Sequence, residues 1–228
     1  LFVAISHWLL SNAKKPNIVI IFTDDQGYAD LGCYGSKTNK TPRLDQLAKE
    51  GTMFTSFYTQ TVCGPSRSAL LTGRYPYRSK GWGMPASEIT FAELIKGAGY
   101  QTACIGKWDV SNRKPIIDRM PNAQGFDYFF GALGANDPGS IKFHLNNEPA
   151  GTSKDMGGLT TLYTDKSIDF LKNKRDPKKP FILYLAHTMM HTIIDASERF
   201  RGKSKGGLYG DVVEEFDYET GRLLDVLD

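Results

Sequence analysis

The chain has 228 residues, of which 40% are hydrophobic and 12% aromatic, enough to bury the core of one large domain or two small ones. This composition excludes an intrinsically disordered chain. Its 28 Lys and Arg residues against 25 Asp and Glu give a formal net charge of +3, and because the basic residues are scattered, charge gives no support for nucleic-acid binding.

The first 13 residues, "LFVAISHWLLSNA", are apolar and are followed by two lysines. They are too few to span a bilayer, so no stable membrane anchor is predicted. Ser11 and Ala13 have the small-residue spacing of a signal-peptidase site, and we predict that residues 1–13 are the remnant of a signal peptide. A frayed N-terminal helix is the alternative. This interpretation implies a secreted or periplasmic protein whose folded part is 14–228.

The first predicted element is a strand at 17–22, "NIVIIF". A continuous β-branched run is typical of a strand buried on both faces of a parallel sheet. It ends in two adjacent carboxylates, Asp24 and Asp25. The next segment, "TPRLDQLAKEG" at 41–51, predicts a short amphipathic helix that begins with Thr-Pro and stops at glycine.

A second strand is predicted at 52–60, "TMFTSFYTQ", because its apolar residues alternate. It leads into "TVCGPSRSALLTGR", where Pro65 can occupy the first turn of a helix that runs to about Thr72. Gly73 supplies the left-handed terminator of this helix. The pattern therefore places Cys63 at the N-terminal mouth of the helix.

The next segments continue the alternation of helix and strand. Thr90 and Glu93 have the spacing of a capping box, and "YQTACIGKW" predicts a strand that breaks at Gly106. From 115 to 158 the chain is rich in Gly, Pro and Asn, which predicts a loop over the substrate side of the fold.

A helix at 160–174, a strand at 181–186 and a helix at 207–228 complete the predicted elements. The repeated strand–helix order predicts an α/β fold with a mostly parallel sheet and helices on both faces. The last helix reaches residue 228 without a stop signal, so we expect the chain to be the N-terminal part of a longer protein.

Polar side chains stand where the predicted strands end: Asp24 and Asp25, Cys63, Lys107, and His187 to His191. In open α/β sheets, ligands bind beyond the carboxyl ends of the strands. Asp24 and Asp25 are the ligand type that a hard cation prefers, Ca²⁺ or Mg²⁺. A solvated acidic turn is the alternative for this pair. Two carboxylates alone cannot fill a Ca²⁺ shell of about six to eight oxygens.

Cys63 has two interpretations. A lone cysteine is commonly a small buried hydrophobic residue. At a helix N-terminus, however, unpaired N–H groups favour an anion and lower a thiol pKa. Arg67 lies one helical turn further on the same face. Cysteine, helix mouth and guanidinium together indicate a site for a tetrahedral oxyanion.

At this point the residues resemble a known family. "CGPSRSALLTGR" is similar to the sulfatase signature Cys-x-Pro-Ser-Arg followed by Thr-Gly-Arg. The similarity extends through "NIVIIFTDDQGYADLGCYG", "TPRLDQLAKEG", "GYQTACIGKW" and "ERFRGKSKGGLYGDVVEE", which is nearly the whole chain after Lys15. The chain therefore resembles an arylsulfatase A-type member of the alkaline phosphatase superfamily, in the N-terminal part of its catalytic domain.

The resemblance implies a nucleophile that is made after translation. In this family a separate maturation enzyme oxidises the signature cysteine, here Cys63, to formylglycine. One hydroxyl of the hydrated aldehyde attacks sulfur and expels the alcohol, and the second then expels sulfate and restores the aldehyde. The implied substrates are sulfate esters, either small aryl esters or glycans.

The resemblance also implies roles for the other site residues. Asp24 and Asp25, with the group at Cys63, correspond to ligands of a divalent cation, Ca²⁺ in most relatives and Mg²⁺ as an alternative. Arg67 corresponds to the residue that steadies the hydrate. The residues that correspond to groups contacting sulfate or protonating the leaving oxygen are Lys107 and His191.

The sequence departs from the family pattern in three places. Asp109 stands in "GKWD" where the family usually has histidine; a carboxylate can still accept the hydrate's proton, but it adds negative charge beside an anionic substrate. Met190 replaces a common proline. The family's remaining metal ligands and a further sulfate-binding lysine correspond to segments beyond 228.

Two other functions stay open at this stage. Some phosphodiesterases and phosphonate hydrolases of the superfamily share the cysteine motif, and sulfate and phosphate are both tetrahedral anions. The third hypothesis is a non-catalytic domain that binds anions or glycans. It stays open because Asp109 stands where the family usually has histidine, and because the family's remaining site residues correspond to segments beyond 228.

Overall fold

The computed structural model describes residues 15–227. Its centre is one six-stranded sheet with the order β1-β6-β2-β3-β4-β5. The first four strands in that order are parallel, and β4 and β5 add an antiparallel hairpin at the edge. The strands are β1 (Ile18–Phe22), β2 (Gln101–Lys107), β3 (Tyr128–Ala132), β4 (Ile141–Leu145), β5 (Glu148–Ser153) and β6 (Phe181–Ala186).

Helices connect and cover the strands. The α-helices are α1 (Pro42–Glu50), α2 (Cys63–Thr72), α3 (Pro76–Ser79), α4 (Phe91–Gly97), α5 (Leu159–Asp169) and α6 (Gly207–Leu227). A π-helical turn, Phe170–Lys174, extends α5. Short 3₁₀ turns lie at Tyr28–Asp30, Gly32–Tyr34, Ile117–Arg119 and Pro121–Gln124. Within residues 15–227, no helix combines the length and apolarity needed to span a membrane.

The sheet has a hydrophobic core on each face, because successive side chains of a strand point to opposite sides. Ala103 and Ile105 of β2 belong to one core, which α5 and α6 cover. Cys104, between them, belongs to the other core, together with Leu71 of α2 and Ala92 of α4. The predicted α/β class, with a mostly parallel sheet and helices on both faces, is confirmed.

The local signals at helix ends are confirmed in two places. Gly73 terminates α2 with φ of 65° in the left-handed region. Thr90 caps α4: its hydroxyl accepts a hydrogen bond from the Glu93 backbone N–H, and its own backbone N–H donates to the Glu93 carboxylate. Helix α2 starts at Cys63 itself, so Pro65 lies in its first turn and Cys63 at its N-terminal mouth, as predicted.

Two predictions about strands are wrong. Residues 52–60 contain no strand and lie largely exposed, because their alternating side chains find no neighbouring strand to pair with. The predicted loop at 115–158 contains β3, β4 and β5. In addition, β1 lies at the edge of the sheet that the described residues form. Its side chains pack against the cores on both faces, as predicted, but they are only half-buried.

Candidate active site

Three parallel strands end side by side at one edge of the sheet and bring the predicted polar residues together. Asp24 follows β1, His187 follows β6 and Lys107 is the last residue of β2. Backbone hydrogen bonds hold these ends in register beyond the sheet: His187 donates to Phe22 at 2.8 Å, and Asp24 donates to Met189 at 3.0 Å. The carboxyl edge of the sheet is therefore a fixed platform.

A cavity of about 200 Å³ opens at this edge between β1 and the start of α2. Its lining includes both carboxylates after β1 and the thiol at the start of α2. The lining residues are Phe22, Thr23, Asp24, Asp25, Gln26, Thr59, Gln60, Thr61, Val62, Cys63 and Ser66. The segment before α2, predicted as a strand, is thus one wall of the candidate site.

Asp24 is almost fully buried, with 3% of its side chain exposed, and two cations offset its charge. The Lys107 ammonium donates to its carboxylate at 2.5 Å, and the Arg67 guanidinium lies 3.5 Å away. Both cationic side chains are fully buried. An isolated charge would be strongly unfavourable at this depth, so the three groups depend on one another.

Arg67 also bonds to the main chain. Its Nη1 donates to the Lys107 carbonyl at 3.0 Å, and its Nη2 donates to the His187 carbonyl at 2.9 Å. The guanidinium lies 5.5 Å from the ring centroid of Phe22, which adds a cation–π contact. One side chain of α2 thereby joins the ends of β2 and β6.

Asp109 is fully buried beside Cys63 and has a left-handed backbone, φ 57°. Trp82 donates its indole N–H to Oδ2 at 3.1 Å, and Arg113 donates Nε–H to Oδ1 at 2.8 Å. Lys107 lies 3.5 Å from Oδ2. Although burial alone disfavours the charged guanidinium, the Asp109 carboxylate raises the pKa of Arg113.

The environment of Cys63 differs from the predicted one. Burial raises the pKa of its thiol, and a hydrogen bond to the Asp109 carboxylate raises it further, whereas the nearby Lys107 acts in the opposite direction. The expectation that the helix N-terminus lowers this thiol pKa is therefore wrong. Burial and the neighbouring carboxylate outweigh the helix because both disfavour a thiolate.

The two histidines have different environments. His187 is fully buried, and burial lowers its pKa to about 3, with a further contribution from Arg67. Its ring packs against the rings of Tyr163 and Phe216. His191 lies at the edge of the site, with its Nε2 3.8 Å from the carboxylate of Asp25. The structure thus brings His191, and not the ring of His187, to the cavity side.

The donors present fit a hard cation in type. Asp24 and Asp25 offer carboxylate oxygens to the cavity. The buried side-chain nitrogen of Gln26 in the same cavity has no hydrogen-bond partner among the described residues, but its N–H groups are donors, so they call for an acceptor and not for a cation. In the described range, however, no three His, Cys, Asp or Glu side chains form a group that could hold a metal ion. These residues therefore supply only part of a cation shell.

Sequence reasoning missed three residues of this arrangement: Trp82, Arg113 and Asp137. Arg113 contacts Asp109 and, through Nη1 at 3.3 Å, Asp137, whose Oδ1 lies 3.5 Å from Nδ1 of His191. Arg113 is four residues after Asp109, but this spacing indicates contact only within a helix. Here both residues lie in a loop, so the pattern gave no signal.

The motif arginine at the end of α2, Arg74, does not join this network. Its Nη1 donates to both carboxylate oxygens of Glu88, each at 2.8 Å. The Arg74–Glu88 pair thus fastens the end of the motif helix.

Comparison with known proteins identifies the family. The sulfatase family model matches residues 16–228. The chain belongs to the sulfatase family. It is 35% identical over 248 residues to N-acetylgalactosamine-6-sulfatase of Rattus norvegicus, covering 94% of this chain and 47% of that protein. It is also 35% identical over 250 residues to arylsulfatase A of Homo sapiens, covering 94% and 49%.

Solved sulfatase structures share the fold. A sulfatase from Pseudoalteromonas sp. superposes with a TM-score of 0.82 at 26% identity, covering 97% of this chain and 54% of that one. The predicted resemblance to arylsulfatase A-type sulfatases is confirmed. The chain spans about half the length of the curated sulfatases it matches.

Proposed function

We propose that the complete protein is a sulfatase that hydrolyses sulfate esters of carbohydrates or aryl alcohols. The observation that carries this proposal is the position of Cys63, which begins α2 and lines the cavity together with Asp24 and Asp25. In this proposal 14–228 is the N-terminal part of the catalytic domain. Residues 1–13, the proposed signal-peptide remnant of a secreted or periplasmic protein, lie outside the described residues.

The proposed nucleophile is formylglycine, made from Cys63 by a formylglycine-generating enzyme. When formed, it supplies a hydrated aldehyde whose hydroxyl attacks sulfur. The Asp109 carboxylate is close enough to the side chain at position 63 to raise the pKa of its thiol, and in this proposal it accepts a proton from the group formed there. Asp109 thereby takes the role of proton acceptor that a histidine has elsewhere in the family.

Lys107 and His191 are the proposed sulfate-side groups. The buried Lys107 ammonium lies between the carboxylates of Asp24 and Asp109 and provides fixed positive charge next to the attack site. His191 stands at the edge with 14% of its side chain exposed, where it can give a proton to the leaving alcohol. Arg67 neutralises Asp24 and holds the platform in place.

A divalent cation, Ca²⁺ or Mg²⁺, completes the proposal. Asp24, Asp25 and the group at position 63 would hold it. When bound, it supplies a Lewis acid that polarises a sulfate oxygen. The remaining ligands would come from outside the described residues, as the incomplete donor set requires.

The test uses the complete protein produced together with a formylglycine-generating enzyme. We expect intact mass to show conversion of Cys63, and an aryl sulfate to be hydrolysed faster than the matched phosphate ester. Replacing the nucleophile, Cys63→Ala, should abolish turnover. Replacing another partly exposed free cysteine, Cys33→Ala, should leave it unchanged.

Two outcomes would replace the proposal. Faster hydrolysis of the phosphate ester would favour a phosphodiesterase or phosphonate hydrolase. An unmodified thiol at position 63 with no turnover of either ester would favour a non-catalytic protein that binds anions or glycans.

A further inference from the structure

The position that departs from the family pattern, Asp109, raises a charge problem. It is a fully buried carboxylate. Of the cations near it, Lys107 lies 3.5 Å away and already binds Asp24 at 2.5 Å. Arg67 and Lys107 both pair with Asp24, so Asp109 only shares the Lys107 ammonium with that carboxylate. A further cation beside Asp109 lessens the cost of burying its charge.

Arg113 supplies that charge. Its Nε–H donates to Oδ1 of Asp109 at 2.8 Å, whereas the indole of Trp82 and the Lys107 ammonium lie on the other oxygen, Oδ2. Both carboxylate oxygens thus have a donor. With 41% of its side chain exposed, Arg113 keeps contact with water and avoids the full penalty of burying a guanidinium.

The same guanidinium reaches a second carboxylate. Nη1 of Arg113 lies 3.3 Å from Oδ2 of Asp137, and the other oxygen of Asp137 lies 3.5 Å from Nδ1 of His191. Arg113 therefore links Asp109, on the Cys63 side of the site, to His191, on the opposite edge. Among the ion pairs and hydrogen bonds of residues 15–227, only Arg113 bonds to both Asp109 and Asp137.

The backbone around this pair is itself unusual. Asp109, Asn112 and Arg113 all have left-handed φ, between 54° and 58°. Asp and Asn adopt this conformation more readily than other non-glycine residues, so the strain falls mainly on Arg113, where the surroundings must enforce it. The loop is fastened by the Asn112 N–H, which donates to the Trp82 carbonyl at 2.7 Å. The ion pair and this bond together hold the loop in its strained form.

We infer that Arg113 is a positioning residue that neutralises Asp109, fixes its carboxylate against the group at position 63, and couples it through Asp137 to His191. It allows an aspartate to replace the usual histidine. The catalytic part of this inference rests on the proposed sulfatase function. The pairing of Arg113 with Asp109 does not.

The experiment is a double-mutant cycle in the complete protein, with Arg113→Gln made in the wild-type and in the Asp109→Asn background. Asparagine keeps the shape and tolerates left-handed φ but removes the charge. Thermal unfolding and the kinetics of an aryl sulfate are both measured. The cycle isolates the coupling between the two positions.

In the wild-type background we expect Arg113→Gln to lower Tm by about 4 °C or more. It should also reduce kcat about tenfold to hundredfold with little change in KM, because it misplaces a group that acts in the transition state. In the Asp109→Asn background the same change should alter Tm by less than about 1 °C and kcat by less than about threefold. Arg113→Lys keeps the positive charge and should restore part of the Tm and of kcat. The recovery should be incomplete, because one ammonium cannot bond to Asp109 and Asp137 as the guanidinium does.

Arg222→Gln is the matched control. Arg222 also pairs with two carboxylates, Asp165 and Glu219, and has 34% of its side chain exposed, but it lies in α6. Its effect on Tm should be the same in both backgrounds, and kcat should not change. Equal losses for Arg113→Gln in the two backgrounds would overturn the inference. If the wild-type protein hydrolyses no sulfate ester, the proposed function fails, and the Tm cycle alone still decides whether Arg113 neutralises Asp109.

Discussion

His187 and His191 show how two similar residues acquire different chemistry from their surroundings. Both follow β6 and both were candidate site residues on sequence grounds. The ring of His187 is in the core, where Nδ1 accepts the Met189 N–H at 2.9 Å and Nε2 has no partner among the described residues. This histidine is therefore a neutral part of the fold, and its carbonyl, not its ring, serves the site through Arg67.

The buried ring predicts a pH dependence of stability. Since the pKa of His187 is about 3 in the folded chain and about 6.5 when unfolded, only the unfolded chain takes up a proton between these values. Stability should fall as the pH drops through this window. Between pH 7 and pH 5, this group alone should lower the free energy of unfolding by about 2 kcal/mol.

Denaturant unfolding at several pH values measures this effect. His187→Asn keeps an acceptor for the backbone N–H but cannot titrate, so its stability should fall less steeply with acid than that of the wild type. Equal pH dependence in the two proteins would contradict the assignment.

At the scale of elements, the start of α2 is fitted to the segment that carries Trp82. Gly64 is buried in the first turn of α2, and a Cβ at this position would overlap the indole ring of Trp82. The ring in turn donates to Asp109. Gly64, at the variable position of the signature, thus allows the helix and the Trp82 indole to approach each other. The indole N–H then orients the Asp109 carboxylate.

Gly64→Ala should therefore displace Trp82 and weaken its hydrogen bond to Asp109. We expect a loss of about 1–3 kcal/mol in the free energy of unfolding, from overpacking, together with reduced turnover of sulfate esters. The control is Gly97→Ala, at a helical glycine of α4 with open space around its Cβ position. That change should be neutral or stabilise by up to about 1 kcal/mol. Equal effects of the two substitutions would contradict the packing argument.

Elements with local signals were predictable from the sequence, and those that depend on distant partners were not. The capping box of α4, the glycine stop of α2 and the apolar strand β6 each carry their cause within a few residues. The alternation at 52–60 is equally local, but no strand lies alongside it, and only its last two residues, Thr59 and Gln60, line the cavity. Strand β4 pairs with β3 on one side and with β5 on the other, and the Gly-, Pro- and Asn-rich composition of this region gives no signal for that pairing.

The same distinction holds within the candidate site. Asp24, Cys63 and Lys107 stand at element ends that the sequence pattern marks. Arg113 and Asp137 contact their partners only because a strained loop brings them together. Contacts of this kind follow from tertiary structure and leave no periodic trace in the sequence.

At the scale of the whole molecule, the number of cation ligands sets the expected behaviour. The chain spans about half the length of the curated sulfatases it matches. A Ca²⁺ shell has about six to eight oxygen ligands, and the two carboxylates at the end of β1 provide fewer than half of these ligands if each binds through one oxygen. We expect the 228-residue chain alone to bind Ca²⁺ weakly and to hydrolyse sulfate esters poorly.

Calorimetric titration with Ca²⁺ measures the first expectation, and turnover of a chromogenic aryl sulfate measures the second. The complete protein serves as the reference in both. Removing the cation from the complete protein with a chelator should reduce its turnover toward that of the 228-residue chain. Full turnover by the 228-residue chain would contradict this account.

The two main-chain bonds of Arg67 have a consequence for ligand binding. They join the carbonyls that end β2 and β6, so the distance between those strand ends is fixed when the chain folds and not when a ligand arrives. The conformational entropy that ordering this edge requires is therefore lost during folding and not during ligand binding. A ligand that enters the cavity meets groups that are already immobile, and more of its interaction energy is retained as affinity.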